Sequence, residues 1–344
     1  MRRRTKPVPA PLPQRHGVDP VRVRLPAEGP WATVAEYLAH RLPDQVADRL
    51  AQMLRSGEII GADGPVGPDT RFRPGTSVWF HRDLPPEVPV PFELAVIHRD
   101  EHLVVVDKPH FLATTPRGSH VVQTALSRLR HELDLPELSP AHRLDRLTAG
   151  LVMFVADPQA RGAYQTLFRD RLVTKEYEAV ARHDPRVALP RTVRNRIVKE
   201  RGVIAAREED GPVNAESRIE LIEHRGGLAR YRLTPLTGRT HQLRLHMSGL
   251  GLPILGDPVY PEVLPEAAPD DFRRPLQLLA ATLAFTDPLS GQPVRLRSRR
   301  VLAAWAEQAW AAQPWAEQSW ADQSTHQDTD QSTDQDTDQA EAGA

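Results

Sequence analysis

The chain contains no cysteine among its 344 residues. Without thiols it can form no disulfide bond, no thiolate zinc site and no cysteine nucleophile, so its chemistry depends on oxygen and nitrogen groups. It has no apolar run that approaches the ~20 residues of a membrane-spanning helix, and its first four residues, MRRR, lead into prolines instead of a signal peptide. We therefore expect a soluble cytoplasmic protein that does not bind a membrane.

Cofactor motifs are also missing. The sequence has no Walker lysine pattern and no complete GxGxxG run, so nothing in it supports a nucleotide cofactor. His241 and His246 are five residues apart, which on a helix separates them by about 140°, whereas a helical zinc pair needs a shared face. We expect an activity that requires neither a metal nor a cofactor.

The charge of the chain is unevenly distributed. The formal net charge is −1, but residues 305–344 hold nine acidic residues and no Lys or Arg. The first 304 residues therefore carry 44 basic and 36 acidic residues, a balance of +8. A basic body favours a polyanionic partner, because each Lys or Arg placed on a phosphate releases condensed counterions.

The segment 142–150, of sequence HRLDRLTAG, is the strongest single indication of an active site. Asp145 lies between Arg143 and Arg146, and a nearby cation keeps a carboxylate ionised even where water is excluded. The apolar run 151–156 that follows predicts a strand buried on both faces, which would anchor the loop. Taken alone, the segment is more typical of a surface ion pair before a core strand.

Four ordered blocks of the sequence resemble the RluA-type pseudouridine synthases. They are VDKP at 106–109, HRLDxxTAGL at 142–151, KEY at 175–177, and GRTHQLRLH at 238–246 with LGD at 255–257 and Tyr260. The resemblance covers roughly residues 90–298. The chain departs from the family at Ala149, where Ser is usual, and at Leu252 and Leu279, where His is common.

The resemblance implies an RNA-uridine isomerase that works without a cofactor on a base lifted out of its stack. A small RNA-binding-like module near the N-terminus favours large-subunit rRNA as the partner. Members of the family also act on tRNA, which is the second candidate, and we expect a monomer. The sequence also predicts several strands with a few intervening helices, among them strands over 174–182, 215–222 and 278–285. This pattern and the resemblance both predict an α+β fold, the pseudouridine synthase fold, with mixed, mainly antiparallel sheets and flanking helices.

The resemblance implies three catalytic residues. Asp145 would be the nucleophile, attacking the ribose or the ring, or would instead remove a ribose proton. Tyr177 would stack on the uracil and exchange protons, although an aromatic packed in the core is the alternative. Arg244 would hold Asp145 ionised, unless it is a solvated helix residue.

Six further basic residues are candidate RNA contacts. Arg143 resembles the family residue that fills the gap left by the extruded base or contacts the backbone beside it. The candidates for phosphate contact are Lys175 and Arg239, for which a structural role is the alternative, and Arg49, Arg55 and Arg71.

Composition divides the chain into five segments. The expected order is a flexible basic arm over 1–26, a small alpha-L-type RNA-binding-like module over 27–81, a linker over 82–91, the catalytic domain over 92–304 and a disordered acidic tail over 305–344. The module would hold two short helices broken at Pro43 and a small strand-turn-strand unit, with a generic helical domain as the alternative. The tail repeats Trp every five residues, a period that does not keep side chains on one helix face.

Two other functions remain open from the sequence. The first is a non-catalytic RNA-binding or ribosome-assembly factor with the same fold. The second is a carbohydrate hydrolase that uses Asp145, but it would need a second carboxylate, and the sequence offers no clear one.

Overall fold

The computed structural model describes residues 10–42 and 47–306. These residues form two compact units, the first within 1–146 and 152–168, the second within 147–151 and 169–344. No helix in the described ranges is long and apolar enough to cross a membrane.

The elements up to residue 169 are short. In chain order they are β1 (Val21–Arg24), α1 (Val34–Arg41), α2 (Ala47–Ser56), β2 (Ile60–Gly61), β3 (Gly64–Pro65), β4 (Ser77–Phe80), β5 (Ala95–Arg99), β6 (Leu103–Lys108), α3 (Ala125–Glu132), β7 (Ser139–Pro140), β8 (Ala149–Val155) and α4 (Arg161–Arg169).

The remaining elements are mostly strands. They are β9 (Thr174–Arg182), β10 (Arg191–Asn195), β11 (Ile197–Val198), β12 (Arg207–Glu208), β13 (Ala215–Arg225), β14 (Leu228–Pro235), α5 (Gln242–Gly249), β15 (Leu278–Thr286), β16 (Pro293–Arg297) and α6 (Ala303–Ala306).

The N-terminal part of the first unit is a small sheet with two helices. Its strand order is β1-β4-β2-β3, and its core includes Leu25, Leu38 and Met53. Helix α1 begins after Thr33, whose side chain accepts a hydrogen bond from the Glu36 amide, the usual way of satisfying a free N–H at a helix start. Two short helices and a small sheet therefore occur where the sequence predicts them, while RNA binding by this module remains a prediction.

The described part of the predicted arm, residues 10–26, differs from the expectation of a flexible segment. Strand β1 pairs antiparallel with β4, and upstream of it the Asp19 carboxylate pairs with Arg130 at 2.9 Å. The alternation Val-Arg-Val-Arg over 21–24 is a short strand pattern whose apolar half packs against the core. The many arginines and prolines around it obscure this period.

The rest of the first unit is built around two fully buried strands. Strand β6 pairs antiparallel with β5 and lies beside β8, which also pairs with β7. All seven residues of β8 are buried. The prediction of a strand buried on both faces after the Asp145 loop is therefore confirmed.

The second unit contains a large, mainly antiparallel sheet in the order β10-β13-β14-β9-β15, with β16 on β15. The first residues of β8 add a short parallel pairing to β15. Helix α5 contributes Leu243 and Met247 to the core on one face of the sheet. With the helices of both units, this arrangement confirms the prediction of an α+β fold with mainly antiparallel sheets.

Gly150 lies in the short segment of β8 that pairs with β15. Its φ of +111° disfavours other residues, and an added Cβ would lie 2.3 Å from the backbone oxygen of Ala280. Its neighbour Ala149 is completely buried in an apolar cluster with Leu279 and Ala281. The end of the segment 142–150 is thus fixed by packing.

Trp305 belongs to the fold of the second unit, although the sequence assigns it to the disordered tail. It is 8% exposed and packs with Leu302 and Ala304. The Arg225 guanidinium lies 4.3 Å from the centre of its ring and donates a hydrogen bond to its carbonyl oxygen. Trp305 thus belongs to the folded second unit, and the later Trp repeats, with the predicted disorder, lie outside the described residues.

His246 is a buried polar residue on the inner side of α5. It is 1% exposed, and its Nε2 lies 2.9 Å from Oδ1 of Asn195. Burial disfavours the charged imidazolium and lowers the pKa of His246 from 6.5 to about 4. The folded protein therefore holds this residue neutral at pH 7.

We expect His246 to make folding stability depend on pH. As pH falls from 6.5 to about 4, the unfolded chain binds a proton that the folded chain does not, so stability is lost by roughly 3 kcal/mol. Urea unfolding of the wild type and of His246→Gln across this range measures the difference, which should shrink in the variant. The exposed His131→Gln is the control, and equal slopes for all three proteins would contradict the expectation.

Candidate active site

The loop that carries Asp145 spans residues 141–148, between β7 and β8. Asp145 is half-buried, whereas Arg143 and Arg146 on either side of it are exposed. Leu144, directly before Asp145, is buried, and its backbone is held by Thr114: the Leu144 amide donates to Oγ1 at 3.1 Å, and the hydroxyl donates to the Leu144 carbonyl at 2.8 Å. These two hydrogen bonds to one side chain fix the loop next to the carboxylate.

Lys108 holds the other side of the loop. Its side chain is completely buried at the end of β6. Its ammonium donates to the backbone oxygens of Pro109 at 2.9 Å, Leu112 at 2.8 Å and Arg146 at 3.3 Å. A buried ammonium is tolerated only where such acceptors replace water. The residues before and after Asp145 are therefore both tied to buried side chains.

His142, the first residue of the motif, supports the loop from the strand that follows it. Its Nε2 accepts a hydrogen bond from the Met153 amide at 3.1 Å, so the ring is neutral with its proton on Nδ1. The ring also stacks on Phe168, with centroids 4.3 Å apart. His142 is a positioning residue in this geometry.

Thr114, Lys108 and His142 were not predicted as site residues. Lys108 and His142 stand inside the motif blocks, and a Lys two residues after a run of three valines is the signal that could have identified the first of them. Thr114 carries no such signal, because its bond to the loop joins residues thirty positions apart.

In the second unit, Tyr177 and Lys175 lie on β9. Tyr177 pairs with Leu233 on one side and with Ala280 on the other. Its side chain is half-buried and packs against the core, which leaves part of the ring accessible. The alternative of an aromatic packed in the core thus describes the buried part of Tyr177 and leaves the accessible part unexplained.

Lys175 lies beside the turn that leads into α5. An added Cβ on Gly238 would be 3.9 Å from its Nζ. Burial, and to a lesser extent the charge of Arg171, lower the pKa of Lys175. A partly desolvated ammonium next to this turn can accept an anionic partner with little further loss of hydration.

The turn 237–241 is held together by Gln242, a residue that was not predicted. The Thr237 hydroxyl and the Arg239 amide donate to its Oε1 at 2.7 and 3.0 Å. Its amide group donates to the Glu216 carbonyl and the Ser217 hydroxyl. The Arg239 side chain is left exposed at the surface of this turn, with its Nε donating to a backbone oxygen.

Arg244 is buried and paired with Asp257. Its Nε and Nη2 donate to the two carboxylate oxygens at 2.7 and 2.5 Å, and its side chain is 3% exposed. The Asp257 carboxylate also accepts the amides of Val259 and Tyr260 at 2.9 and 3.2 Å, and the guanidinium lies 5.3 Å from the Tyr260 ring centre. Arg244 lies in the first turn of α5, and the alternative of a solvated Arg244 is wrong.

The role of Asp257 was missed, although its block was identified. From the sequence we expect Arg244 to pair with Asp145. The structure shows Arg244 paired with Asp257, and the pair with Asp145 stays a prediction. A carboxylate in the same motif block was the available signal. The geometry adds a residue that fixes the guanidinium plane.

The predicted phosphate contacts of the N-terminal module differ in their surroundings. Arg49 forms salt bridges with Glu58 at 2.7 Å and Asp83 at 2.5 Å, and these hydrogen bonds raise the pKa of Arg49. Arg55 and Arg71 are exposed. A phosphate contact by Arg49 would require it to exchange a carboxylate partner, while the other two already face water.

A metal site is not formed by the described residues, since no three of their His, Asp and Glu side chains are placed to hold an ion.

Comparisons with known proteins show what this chain is similar to. A model of the RNA pseudouridylate synthase family matches residues 102–249. The dual-specificity RNA pseudouridine synthase RluA of Pasteurella multocida is 35% identical over 209 residues, which cover 57% of this chain and 89% of that protein.

Two further relatives match different extents of the chain. The ribosomal large subunit pseudouridine synthase D of Xanthomonas campestris is 29% identical over 290 residues, covering 75% of this chain and 82% of that protein. Human pseudouridylate synthase RPUSD2 is 35% identical over 193 residues, and the match spans 53% of this chain but only 33% of the human protein.

We expect the buried pair to be costly to break from one side. Asp257→Leu leaves the Arg244 guanidinium buried without its carboxylate, and stability should fall by about 3–5 kcal/mol. The double variant Arg244→Met/Asp257→Leu should recover much of that loss, because neither charge remains. Chemical denaturation of both variants and of Arg244→Met measures the free energies; a double variant less stable than Asp257→Leu would contradict the argument.

We expect Lys108→Met to release the loop. The substitution keeps the length of the side chain but leaves buried carbonyl oxygens without their donor, at about 1–3 kcal/mol for each group that water cannot reach. Hydrogen exchange of residues 110–112 and 144–148 should speed up, while exchange in β14 stays unchanged. Unaltered protection of the loop would show that Lys108 does not hold it.

Proposed function

Because the chain belongs to the RluA-type family of RNA pseudouridine synthases, which isomerise uridine to pseudouridine in RNA, we propose that it isomerises specific uridines. Asp145 is the reacting carboxylate, Tyr177 and Arg244 complete the site, and no cofactor takes part.

The observation that carries the proposal is one hydrophobic cluster in the second unit. Leu147, two residues after Asp145, packs against this cluster, and so does Tyr177. Leu243, which precedes Arg244, is one of its buried members. Asp145 is two residues from Leu147, and Arg244 is next to Leu243. Because each residue extends the chain by at most ~3.6 Å, the backbones of Asp145 and Arg244 lie close to this core. Three motif blocks distant in sequence thus converge on one core.

The strand register gives a second, independent support. Gly150 pairs with Ala280, and Ala280 pairs with Tyr177 on the next strand. Neighbouring strands lie about 4.8 Å apart, so Tyr177 is about 10 Å from the strand that the Asp145 loop enters. The start of β8 and Tyr177 thus flank the same strand, β15.

Each candidate has a role in the chemistry. Attack on the ribose, attack on the ring and removal of a ribose proton all require Asp145 to be ionised at the glycosidic bond. Arg244, fixed by Asp257, would favour that state through a charge-assisted hydrogen bond. Tyr177 would stack on the uracil lifted from the RNA, and the exposed Arg143 would occupy the space that the base leaves.

The basic residues around the site suit an RNA backbone. Lys175 and Arg239 lie at the same turn in the second unit, and both would contact phosphates near the target uridine. Arg55 and Arg71, with Arg49 after exchange of its carboxylates, would contact more distant phosphates from the N-terminal module.

We propose large-subunit rRNA as the substrate, with tRNA as the second candidate. The support is the relative of Xanthomonas campestris that is named for the ribosomal large subunit, whose match covers 75% of this chain. The match to the dual-specificity relative covers 57%. A yeast relative is named for position 32 of tRNA and is 29% identical over 230 residues.

The decisive experiment replaces the proposed nucleophile. Asp145→Asn should lower the rate of pseudouridine formation by roughly 10⁴-fold or more, because the amide can neither attack nor accept a proton. Purified protein is incubated with unmodified transcripts of large-subunit rRNA and of tRNA, and pseudouridine is mapped by mass spectrometry.

Asp134→Asn is the matched control, since it makes the same chemical change at an exposed carboxylate and should retain full activity. An Asp145→Asn protein that isomerises uridine at the wild-type rate would overturn the assignment. Wild-type protein that binds RNA but forms no pseudouridine in any transcript would instead favour a non-catalytic RNA-binding factor.

A further inference from the structure

His241 stands inside the last motif block, but the proposed function gives it no role. It is half-buried and lies directly before α5, in a left-handed backbone conformation with φ +58°. Its side chain makes no capping hydrogen bond to the helix. Glycine adopts this conformation far more readily than other residues, and strain of this kind indicates a use for the side chain. The imidazole therefore serves a purpose other than starting the helix.

The imidazole contacts the phenol of Tyr260. Nδ1 of His241 lies 3.2 Å from the phenol oxygen, and the two rings meet edge to face with centroids 5.7 Å apart. The phenol donates its one hydrogen to the Ala206 carbonyl at 2.8 Å and accepts a hydrogen bond from the Ala206 amide at 2.8 Å. Toward His241 the phenol oxygen can therefore only accept, so Nδ1 carries a proton and is the donor.

Tyr260 also contacts both members of the buried ion pair. The Arg244 guanidinium lies over its ring, 5.3 Å from the centre, and its amide donates to Oδ1 of Asp257 at 3.2 Å. The attraction between a cation and an aromatic ring is strongest where water is excluded, and Tyr260 is buried. His241, Arg244 and Asp257 are thus all held against one aromatic residue.

The ion pair occupies only one edge of the guanidinium. Asp257 accepts hydrogen bonds from Nε and Nη2 of Arg244, so its carboxylate does not engage Nη1. The guanidinium is planar, and a carboxylate on one edge together with a ring on one face fixes the direction of the remaining nitrogen. Nη1 is the nitrogen that would make the charge-assisted hydrogen bond which the proposed function gives to Arg244.

We propose that Tyr260 and His241 are positioning residues for the isomerisation of uridine. Tyr260 holds the Arg244 guanidinium in one orientation, and His241 helps to hold the phenol of Tyr260 against the backbone of Ala206. Neither residue needs to touch the RNA, because both act through Arg244. The inference rests on the proposed function, since Arg244 takes part in a reaction only there. Displacing such a group slows the chemical step more than it weakens binding of the substrate.

Removal of the phenol hydroxyl tests this role. In Tyr260→Phe the Ala206 amide and carbonyl lose their partner and the imidazole loses its acceptor, so the ring beneath Arg244 is less well held. With an unmodified transcript that the wild type modifies, kcat should fall about tenfold or more while KM changes by less than about twofold. The full chain is used, and urea unfolding checks that the variant is folded.

Tyr231→Phe is the matched control. Tyr231 is also buried in the second unit, and its phenol donates to a backbone oxygen, that of Arg182, at 2.8 Å. The substitution removes the same hydroxyl from a tyrosine that is not hydrogen-bonded to Ala206 or His241, so kcat should stay within about twofold of the wild-type value. Wild-type kcat in Tyr260→Phe, or an equal loss of kcat in the two variants, would overturn the proposal.

His241→Gly separates positioning from stability. Glycine accepts φ +58° without strain, so α5 can begin at the same residue and the urea midpoint should change little. The value of kcat should nevertheless fall about threefold to tenfold, because the phenol of Tyr260 loses one of its contacts. A lowered urea midpoint with wild-type kcat would show that the imidazole supports only the fold, and would reject its positioning role.

An NMR measurement that needs no activity separates this inference from the proposed function. The Nε–H group of Arg244, identified by the loss of its signal in Arg244→Met/Asp257→Leu, should exchange slowly with water because it is buried and bonded to Asp257. Tyr260→Phe should speed this exchange about tenfold or more, and Tyr231→Phe should not. Faster exchange in a protein that forms no pseudouridine would sustain the placement of Arg244 by Tyr260 and reject the enzyme assignment. Unchanged exchange and unchanged kcat in Tyr260→Phe, beside an active wild type, would do the reverse.

Discussion

The buried ion pair of Arg244 and Asp257 is the interaction on which the second unit depends. Removing both charges from water costs several kcal/mol per ion, and this cost is offset only where the geometry satisfies both partners. Here the carboxylate accepts a two-pronged guanidinium and two backbone amides. The phenol of Tyr260 then exchanges hydrogen bonds with the backbone of Ala206. One pair therefore joins the helix, the turn after it and a distant loop.

Much of this fold follows from the sequence, and the parts that do not follow share a physical cause. Strand β9 has the bounds that its pattern predicts, 174–182, because local period and apolar content are sequence properties. The partners of Arg244 and of the loop around Asp145 are tertiary facts that no local period encodes. The sequence assigns Trp305 to the tail for the same reason: its repeat resembles the later ones, and its contact with Arg225 is a tertiary one.

The loop of Asp145 shows how an irregular segment can be kept rigid. Backbone groups outside helices and sheets need partners if water is excluded, and here buried side chains supply them. Thr114 serves the residue before the carboxylate, and Lys108 serves the residue after it. In the proposed function, Asp145 would therefore meet its substrate from a backbone that is already held in place.

The alanine at position 149 changes how the family motif should be weighed. It is enclosed by aliphatic side chains, where a hydroxyl would have to find a hydrogen-bond partner or pay for its dehydration. At the next position, Gly150, the backbone of Ala280 occupies the space that any side chain would need. The fold thus constrains these two adjacent positions unequally, and the Ala at position 149 is compatible with an intact enzyme.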